Sequence, residues 1–270
     1  MIQKICFAIL TVIFLSELGF KLYSKSNITD PTNPVELKVM TYNLFFKNKY
    51  PNNSIDVIKE SNPDVLFVQE LTPTWAANLE AVIGKSYPYK LIKPLKGTHG
   101  IGIYSKYQLT DQLFLNNASN KPFAQAAVLH IEHRKIKIIN THLASPAVAI
   151  ENKEQFFSLY RKNYKLRKKQ VEKISNLSKD HSNKHHAQIL IGDLNTMKYE
   201  PLFKRLKFRW ADAHSISGRG LGFNFPHSLR VKPFITLDYI LGKGEIDFIE
   251  TKVLKGGSSD HLAIISKLKI

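Results

Sequence analysis

An α/β or α+β architecture, with sheets covered by helices, is predicted for this 270-residue chain by three observations. Short apolar runs of strand length recur along it, and polar or amphipathic stretches with helical spacing fall between them. Hydrophobic residues make up 43% of the sequence and aromatic residues 11%, enough to bury a full core. No Pro/Gly/Ser-rich linker, internal repeat or low-complexity tract interrupts the chain after its first few dozen residues, so one domain is expected over 35–270.

The elements are justified in order. Lys4 precedes the apolar run Ile5 to Leu15, which has the length of an export-signal core but is short for a bilayer span, and Ser16, Glu17 and Lys21 interrupt any longer one. Residues 1–23 therefore read as a signal peptide or an N-terminal membrane anchor, and the protein as exported, periplasmic or secreted. The only cysteine, Cys6, lies inside this segment, so a processed chain forms no disulfide. Residues 24–34 are polar, carry two prolines and read as a linker. From Val35 onward, strands are expected at Leu37 to Tyr42, Val65 to Val68, Ile101 to Tyr104, Ala124 to Ile131, Ile136 to Ile139, Ile189 to Ile191, Ile235 to Leu241 and Leu262 to Ile265. One helix is expected behind the cap Thr72, with Pro73 at its first position and Gly84 at its end, and a basic amphipathic helix from Asn152 to Leu177.

Several strands end alike, in apolar residues followed at once by polar chemistry. Val39 to Asn43 ends in an amide, Val65 to Glu70 in an acid, Ile138 to His142 in an imidazole, and Ile189 to Asn195 in an acid and an amide. Strand ends are where α/β proteins place ligands. Side chains two apart share a face, so Asp193 and Asn195 can point into one site, as can Asn140 and His142. Gly192 lets the backbone approach closely just before the acid. Asp238, between Leu237 and Tyr239, is expensive to bury unless it meets a cation or a donor, and the histidine of Ser258-Ser259-Asp260-His261 can supply one. A carboxylate holding an imidazole fixes its tautomer and suits acid/base work or anion stabilisation. Taken singly, each of these polar residues also suits a cap, a turn or a structural ion pair.

The ordered set Thr41-Tyr42-Asn43, Pro63-Asp64-Val65 through Gln69-Glu70, Asn140-Thr141-His142-Leu143, Gly192-Asp193-Leu194-Asn195, Leu237-Asp238-Tyr239 and Ser259-Asp260-His261 resembles the endonuclease/exonuclease/phosphatase family. The likeness runs from about Leu37 to Ile265 and implies a four-layer sandwich of two mixed β-sheets flanked by helices. It also implies a metal-dependent hydrolase of phosphate esters. On that resemblance Glu70 is the main Mg²⁺ ligand, with Mn²⁺ as an alternative ion, helped by Asn43, and Asp260 sits near a second metal position or outside the first ligands. Asp193 orients or deprotonates the attacking water and Asn195 holds the phosphate. Asp238 orients His261, which acts as base or binds phosphate, and His142 donates to a phosphate oxygen or assists the leaving group. The implied catalytic set is thus His142, Asp193, Asn195, Asp238 and His261; Asn43, His142 and Asn195 bind substrate; and Asn43, Glu70 and Asp260 bind metal. The abasic-site repair branch has a Tyr-centred segment where this chain has Asn140 to Leu143, which disfavours a DNA-repair role. Gly218 to Pro226 is similar to a glycine-rich, aromatic-proline loop of exported bacterial members and is placed near the site mouth.

Lys and Arg total 39 against 22 Asp and Glu, a formal net charge of +17, which draws the protein towards polyanions such as nucleic acid or an anionic membrane surface. Three readings follow: a phosphodiesterase or nuclease acting as a monomer on a phosphate ester, with nucleic acid as partner; a sphingomyelin or phosphoinositide phosphoesterase at membranes; and a non-catalytic polyanion-binding protein on the same fold. His181, His185 and His186 lack the partners of a zinc site and read as a solvated loop. His99 reads as a turn histidine, and Arg161 to Lys173 as a solvated helix face.

Overall fold

The computed structural model describes residues 34–146, 153–179, 185–228 and 231–270. The proposed export segment and most of the linker lie outside these, as do His181 and the first residue of the expected basic helix. Twelve strands form two six-stranded sheets. The first contains β1 (Glu36–Asn43), β2 (Val65–Gln69), β3 (Tyr89–Lys93), β4 (Ile101–Ser105), β11 (Asp247–Val253) and β12 (Ile264–Lys269), in the order β11-β12-β1-β2-β4-β3. The second contains β5 (Leu109–Asn116), β6 (Pro122–Ile131), β7 (Arg134–His142), β8 (Ala187–Asp193), β9 (Ala211–Asp212) and β10 (Asp238–Gly244), in the order β5-β6-β7-β8-β10-β9.

Each sheet has one parallel pair at its heart, β1 with β2 and β7 with β8, and the other pairings are antiparallel. A parallel pair needs a crossover, and here the crossovers contain helices. Helix α1 (Pro51–Ser61) joins β1 to β2, and α3 (Phe156–Leu177) joins β7 to β8. Helix α2 (Pro73–Ile83) follows β2, and the short α4 (Pro201–Lys207) and α5 (Ala213–Ser217) follow β8.

Strand alternation builds the layers. Val39, Val65, Phe67, Ile138, Ile189, Ile191 and Ile240 point inward and form the core between the sheets. Their neighbours Met40, Leu66 and Val68 point outward against Ile55 and Ile58 of α1 and Trp75 and Leu79 of α2. On the far side Ile139, Leu190 and Tyr239 meet Val171 and Ile174 of α3 and Leu202 and Phe203 of α4. The result is helix, sheet, sheet, helix: the four-layer sandwich that the resemblance implies.

Some expected boundaries move. The Thr72 hydroxyl accepts from Trp75 N at 3.1 Å and caps α2 as expected, but Gly84 stays right-handed and the chain continues into a 3₁₀ turn. The run Ile235 to Leu241 becomes strand only at Asp238, because Asn224 and Gly222 take the hydrogen bonds of Leu237 and Thr236. The last strand starts at Ile264 rather than Leu262, whose N–H donates to the Asn224 carbonyl.

Candidate active site

The inward face that carries the core also carries the site. Continuing each inward row by two residues turns Val39 and Thr41 into Asn43, Phe67 into Gln69, Ile138 into Asn140 and His142, and Ile191 into Asp193; Asp238 precedes inward Ile240 on β10. The polar residues therefore close the sandwich at one end, where the sheets face each other. Asn43 from the first sheet donates through Nδ2 to Asp193 Oδ2 of the second at 3.1 Å, and lies 3.5 Å from Glu70 Oε1.

Asp193 is buried and amply donated to. Asn195 supplies its backbone N–H to Oδ1 at 2.8 Å and its amide to Oδ2 at 3.2 Å. His142 Nε2 lies 3.5 Å and His261 Nε2 3.9 Å from that same Oδ2. Burial and then Asp238 raise the Asp193 carboxyl to about 6, against the opposing pull of the two imidazoles. Gly192 has a φ of 131°, and a Cβ there would meet the Thr141 carbonyl oxygen at 2.1 Å, so only glycine seats Asp193 this close to β7.

His261 Nδ1 donates to Asp238 Oδ2 at 2.6 Å, which leaves Nε2 facing the site. Burial works against its charged form, but Asp238, Asp193 and Asp260 outweigh this and hold the imidazole at about 10, protonated near neutrality. The same Asp238 oxygen accepts from Asn224 Nδ2, while Oδ1 is buried without a hydrogen-bond partner. The expectation that a buried Asp238 must meet a donor thus corresponds to two. Ser259 fixes His261 from behind, accepting from its N–H at 3.1 Å and donating to the Asn43 carbonyl at 2.6 Å. His142 is held through Nδ1 by the Thr98 carbonyl at 3.1 Å, so its Nε2 is also free to face the cleft.

Glu70 takes a left-handed turn at the end of β2, with φ 57°, and its Oε2 accepts from Phe46 N at 2.9 Å. Asp260 is electrostatically coupled to Glu70, and burial raises its carboxyl above the ordinary range. A separate pocket of about 370 Å³, lined by Phe46, Thr72, Trp75 and Lys96, contains none of the site residues; Phe46, whose N–H donates to Glu70, is its link to them.

Among the described residues, one cluster of side chains brings its ligand atoms close enough for a cation. Asp193, Asp238 and His261 offer ligand atoms within 4.8 Å of one another. Without a metal His261 in that group is the protonated partner of Asp238, so a cation there would have to displace that proton. The carboxylates of Glu70 and Asp260, the expected ligands, interact electrostatically and are of the type a hard dication takes. Asn43 turns its NH₂ towards Glu70 and its Oδ1 to Phe45 N at 3.1 Å, so as it stands it separates two carboxylates as a donor.

Asn140 does not share the site with His142. It is wholly buried beneath it, accepting from Gln69 Nε2 at 2.7 Å and donating to the Val68 and Gly102 carbonyls at 3.1 and 3.0 Å, and so ties the two sheets together. Arg167 departs from the expected solvated face of the basic run: it is fully buried, donates through Nη1 to the Asn195 carbonyl, and lies 3.4 Å from Glu200. His99, read as a turn residue, is coupled to His142 and Glu70, and burial lowers its imidazole. Arg167, Asn224, Ser259 and Thr98 carried no assigned role in the sequence reading. Arg167, Asn224 and Ser259 lie within segments already singled out, but nothing in those segments pointed to their partners; Thr98 lies outside them.

The family model described as Endonuclease/Exonuclease/phosphatase family matches residues 40–261. No curated protein sequence matches the chain. Among solved structures, an endonuclease/exonuclease/phosphatase from Bacteroides vulgatus superposes with a TM-score of 0.69 at 15% identity, covering 87% of this chain and 98% of its own. D. rerio TDP2, complexed with single-strand DNA product, gives 0.66 at 16%, covering 86% and 98%. The 3′ phosphatase NExo from Neisseria, bound to a product DNA hairpin, gives 0.65 at 16%, covering 85% and 98%. These likenesses show the shared fold; the match from Met40 to His261 spans the very segments that build the cleft, and the chain belongs to the endonuclease/exonuclease/phosphatase family.

Proposed function

We propose that the protein is a divalent-metal-dependent phosphodiesterase. The observation that carries this reading is the convergence of two imidazole Nε2 atoms, from His142 and His261, on one oxygen of the buried Asp193. A phosphate entering between them meets the His261 donor on one side, His142 Nε2 on the other, and a carboxylate positioned to align or deprotonate water. At neutral pH the imidazolium of His261, held by Asp238 and Asn224, binds and neutralises a phosphoryl oxygen. Asn195, fixed by the buried Arg167, steadies Asp193; its NH₂ is spent on Asp193 Oδ2 and on the Leu143 carbonyl, so its expected hold on the phosphate is indirect, through Asp193. His142, anchored on Thr98, faces the leaving-group side. Glu70 and Asp260, with Asn43 beside them, would hold Mg²⁺ or Mn²⁺, which when bound neutralises charge on the phosphate oxygens.

Nucleic acid suits the +17 charge, and the TDP2 and NExo structures hold DNA product. A membrane-lipid phosphoester is favoured by the apolar rim described below. With residues 1–23 as an export signal or anchor, the activity is placed outside the cytoplasm; cell fractionation leaving the protein in the cytosol would refute that placement.

The experiment assays plasmid DNA, RNA, sphingomyelin, phosphoinositides and bis(p-nitrophenyl) phosphate with Mg²⁺ or EDTA, for the wild type, Asp193→Ala and His261→Ala. Turnover that needs metal and falls about 10²- to 10⁴-fold in each variant is the expected result. Turnover equal in all three proteins sinks the proposal. Salt-sensitive DNA binding without EDTA-sensitive turnover would instead favour a binding protein on this fold.

A further inference from the structure

The mouth of the site carries exposed apolar side chains on separate segments. Tyr50 follows β1 and is 67% exposed, Phe157 follows β7 at 80%, Met197 and Tyr199 follow β8 at 42% and 67%, and Val231 and Phe234 precede β10 at 42% and 58%. All these segments leave the strand ends that bear Asn43, His142, Asp193 and Asp238. Single exposed apolar residues are ordinary on a protein surface, whereas a set gathered around one mouth marks an interaction surface.

Cations accompany three of the four groups, while Lys198, between Met197 and Tyr199, is paired with Asp212. Lys49 adjoins Tyr50, Arg161 and Lys162 lie one turn from Phe157, and Lys232 stands between Val231 and Phe234, all exposed. None of the four pairs with an acidic side chain among the described residues. The sequence from Ala213 to Leu237, to which Phe234 belongs, contains no Asp or Glu.

We propose that this mouth docks on an anionic lipid bilayer, its apolar side chains entering the interfacial layer and its lysines and arginine meeting the headgroup phosphates. Combined with the hydrolase reading, on which this second step rests, the substrate class becomes a phosphate ester carried by a membrane lipid. The aliphatic members of the rim decide between polyanions. A nucleic acid strand is held by cations and by aromatic faces that stack on bases, and Met197 and Val231 offer neither. An interfacial lipid surface takes aromatic and aliphatic side chains together, ringed by Lys and Arg. No helix among the described residues is long and apolar enough to cross a membrane.

The test uses the full chain carrying Phe234→Trp, with Ile249→Trp as the control. Ile249 is likewise exposed but lies on the edge strand β11, away from the mouth. Tryptophan emission is recorded with phosphatidylcholine vesicles, with vesicles containing phosphatidylglycerol, and with the same vesicles bearing brominated acyl chains. The expected result is a blue shift and the loss of about a third of the emission of Phe234→Trp with brominated anionic vesicles, the share of one tryptophan beside the buried Trp75 and Trp210, with the control unchanged. Because the readout is local to the rim, attachment of the chain through residues 1–23 cannot mimic it.

Equal quenching at both positions, or none at Phe234→Trp, overturns the proposal. Quenching of Phe234→Trp by a single-stranded oligonucleotide, with vesicles inert, overturns it in favour of nucleic acid. Metal-dependent hydrolysis of bis(p-nitrophenyl) phosphate is measured on the same samples. Its absence beside intact quenching leaves the docking surface standing and sinks only the hydrolase reading.

Discussion

His261 stands among three acids, Asp193, Asp238 and Asp260, and this explains both its chemistry and a pH dependence of stability. Its imidazole titrates at about 10 in the folded protein against about 6.5 when free, because the carboxylates outweigh the penalty of burial. A folded value above the unfolded one means that the native state holds the proton more tightly. The resulting stabilisation is full below pH 6.5 and is lost as the pH rises through 10. Replacing His261 by Gln keeps a donor for Asp238 and removes the titration. In metal-free buffer the wild type should unfold roughly 5 °C above His261→Gln at pH 6, with the gap closing towards pH 10. Thermal unfolding across that range checks it, and a gap that widens with pH contradicts the assignment. Asp193 runs in the opposite sense. Its raised value makes its buried charge a liability above the ordinary carboxylate range, which the donors from Asn195 and Asn43 and the facing imidazoles only partly offset.

The junction of β7 and β8 fixes where Asp193 sits. These strands run parallel, with Thr141 opposite Gly192 and His142 opposite Asp193, so any side chain at 192 collides with β7 backbone rather than with a movable group. Gly192→Ala also forces an L residue to a φ of 131°. Together these should lower stability by about 3 kcal/mol and shift Asp193 away from the two imidazoles, reducing turnover more than substrate binding. Denaturant melts alongside kcat and KM read both effects, and an alanine variant of wild-type stability would contradict the close approach. The same alternation shows why these elements were legible from sequence. Strands β1, β2, β7 and β8 lie in the sheet interior, are buried over most of their length, and stand out as apolar runs ending in polar residues. Strands β3, β5 and β11, which the sequence reading did not predict, are all sheet edges. Their half-exposed faces carry Lys90 and Lys93, Asp111 and Gln112, or Glu250 and Lys252, so their apolar pattern is diluted. Site residues at interior strand ends were readable for the same reason. Arg167, Asn224 and Thr98 were not, because each acts on a side chain or carbonyl of another element, and no local pattern encodes such a pairing.

At the scale of the whole molecule the site is a seam. The first sheet contributes Asn43, Glu70 at the end of β2, and the Asp260 segment that leads into β12; the second contributes His142, Asp193 and Asp238. The two halves are joined beneath by Gln69 and Asn140 and at the top by Asn43 with Asp193, while the carboxylates of both halves face a common space. Like charges across a seam repel, and a dication seated there turns that repulsion into a link between sheets. Ligand binding to the native state alone stabilises by RT ln(1 + [L]/Kd), about 2.7 kcal/mol at a hundred times Kd. For a chain of this size that corresponds to a rise in Tm of roughly 5 to 10 °C. Saturating Mg²⁺ at pH 8 should therefore raise the Tm of the wild type by several degrees, and EDTA should reverse it. Glu70→Gln, which keeps the shape and an acceptor for Phe46 N but removes the anion, should respond much less. His261→Gln, outside the Glu70 and Asp260 oxygens, should still respond. An equal rise in the wild type and Glu70→Gln would mean that the ion binds elsewhere. A rise lost only in His261→Gln would move the cation to the group formed by Asp193, Asp238 and His261, with the imidazole neutral. Because unfolding rather than turnover is measured, the answer holds whatever phosphate ester the enzyme cleaves.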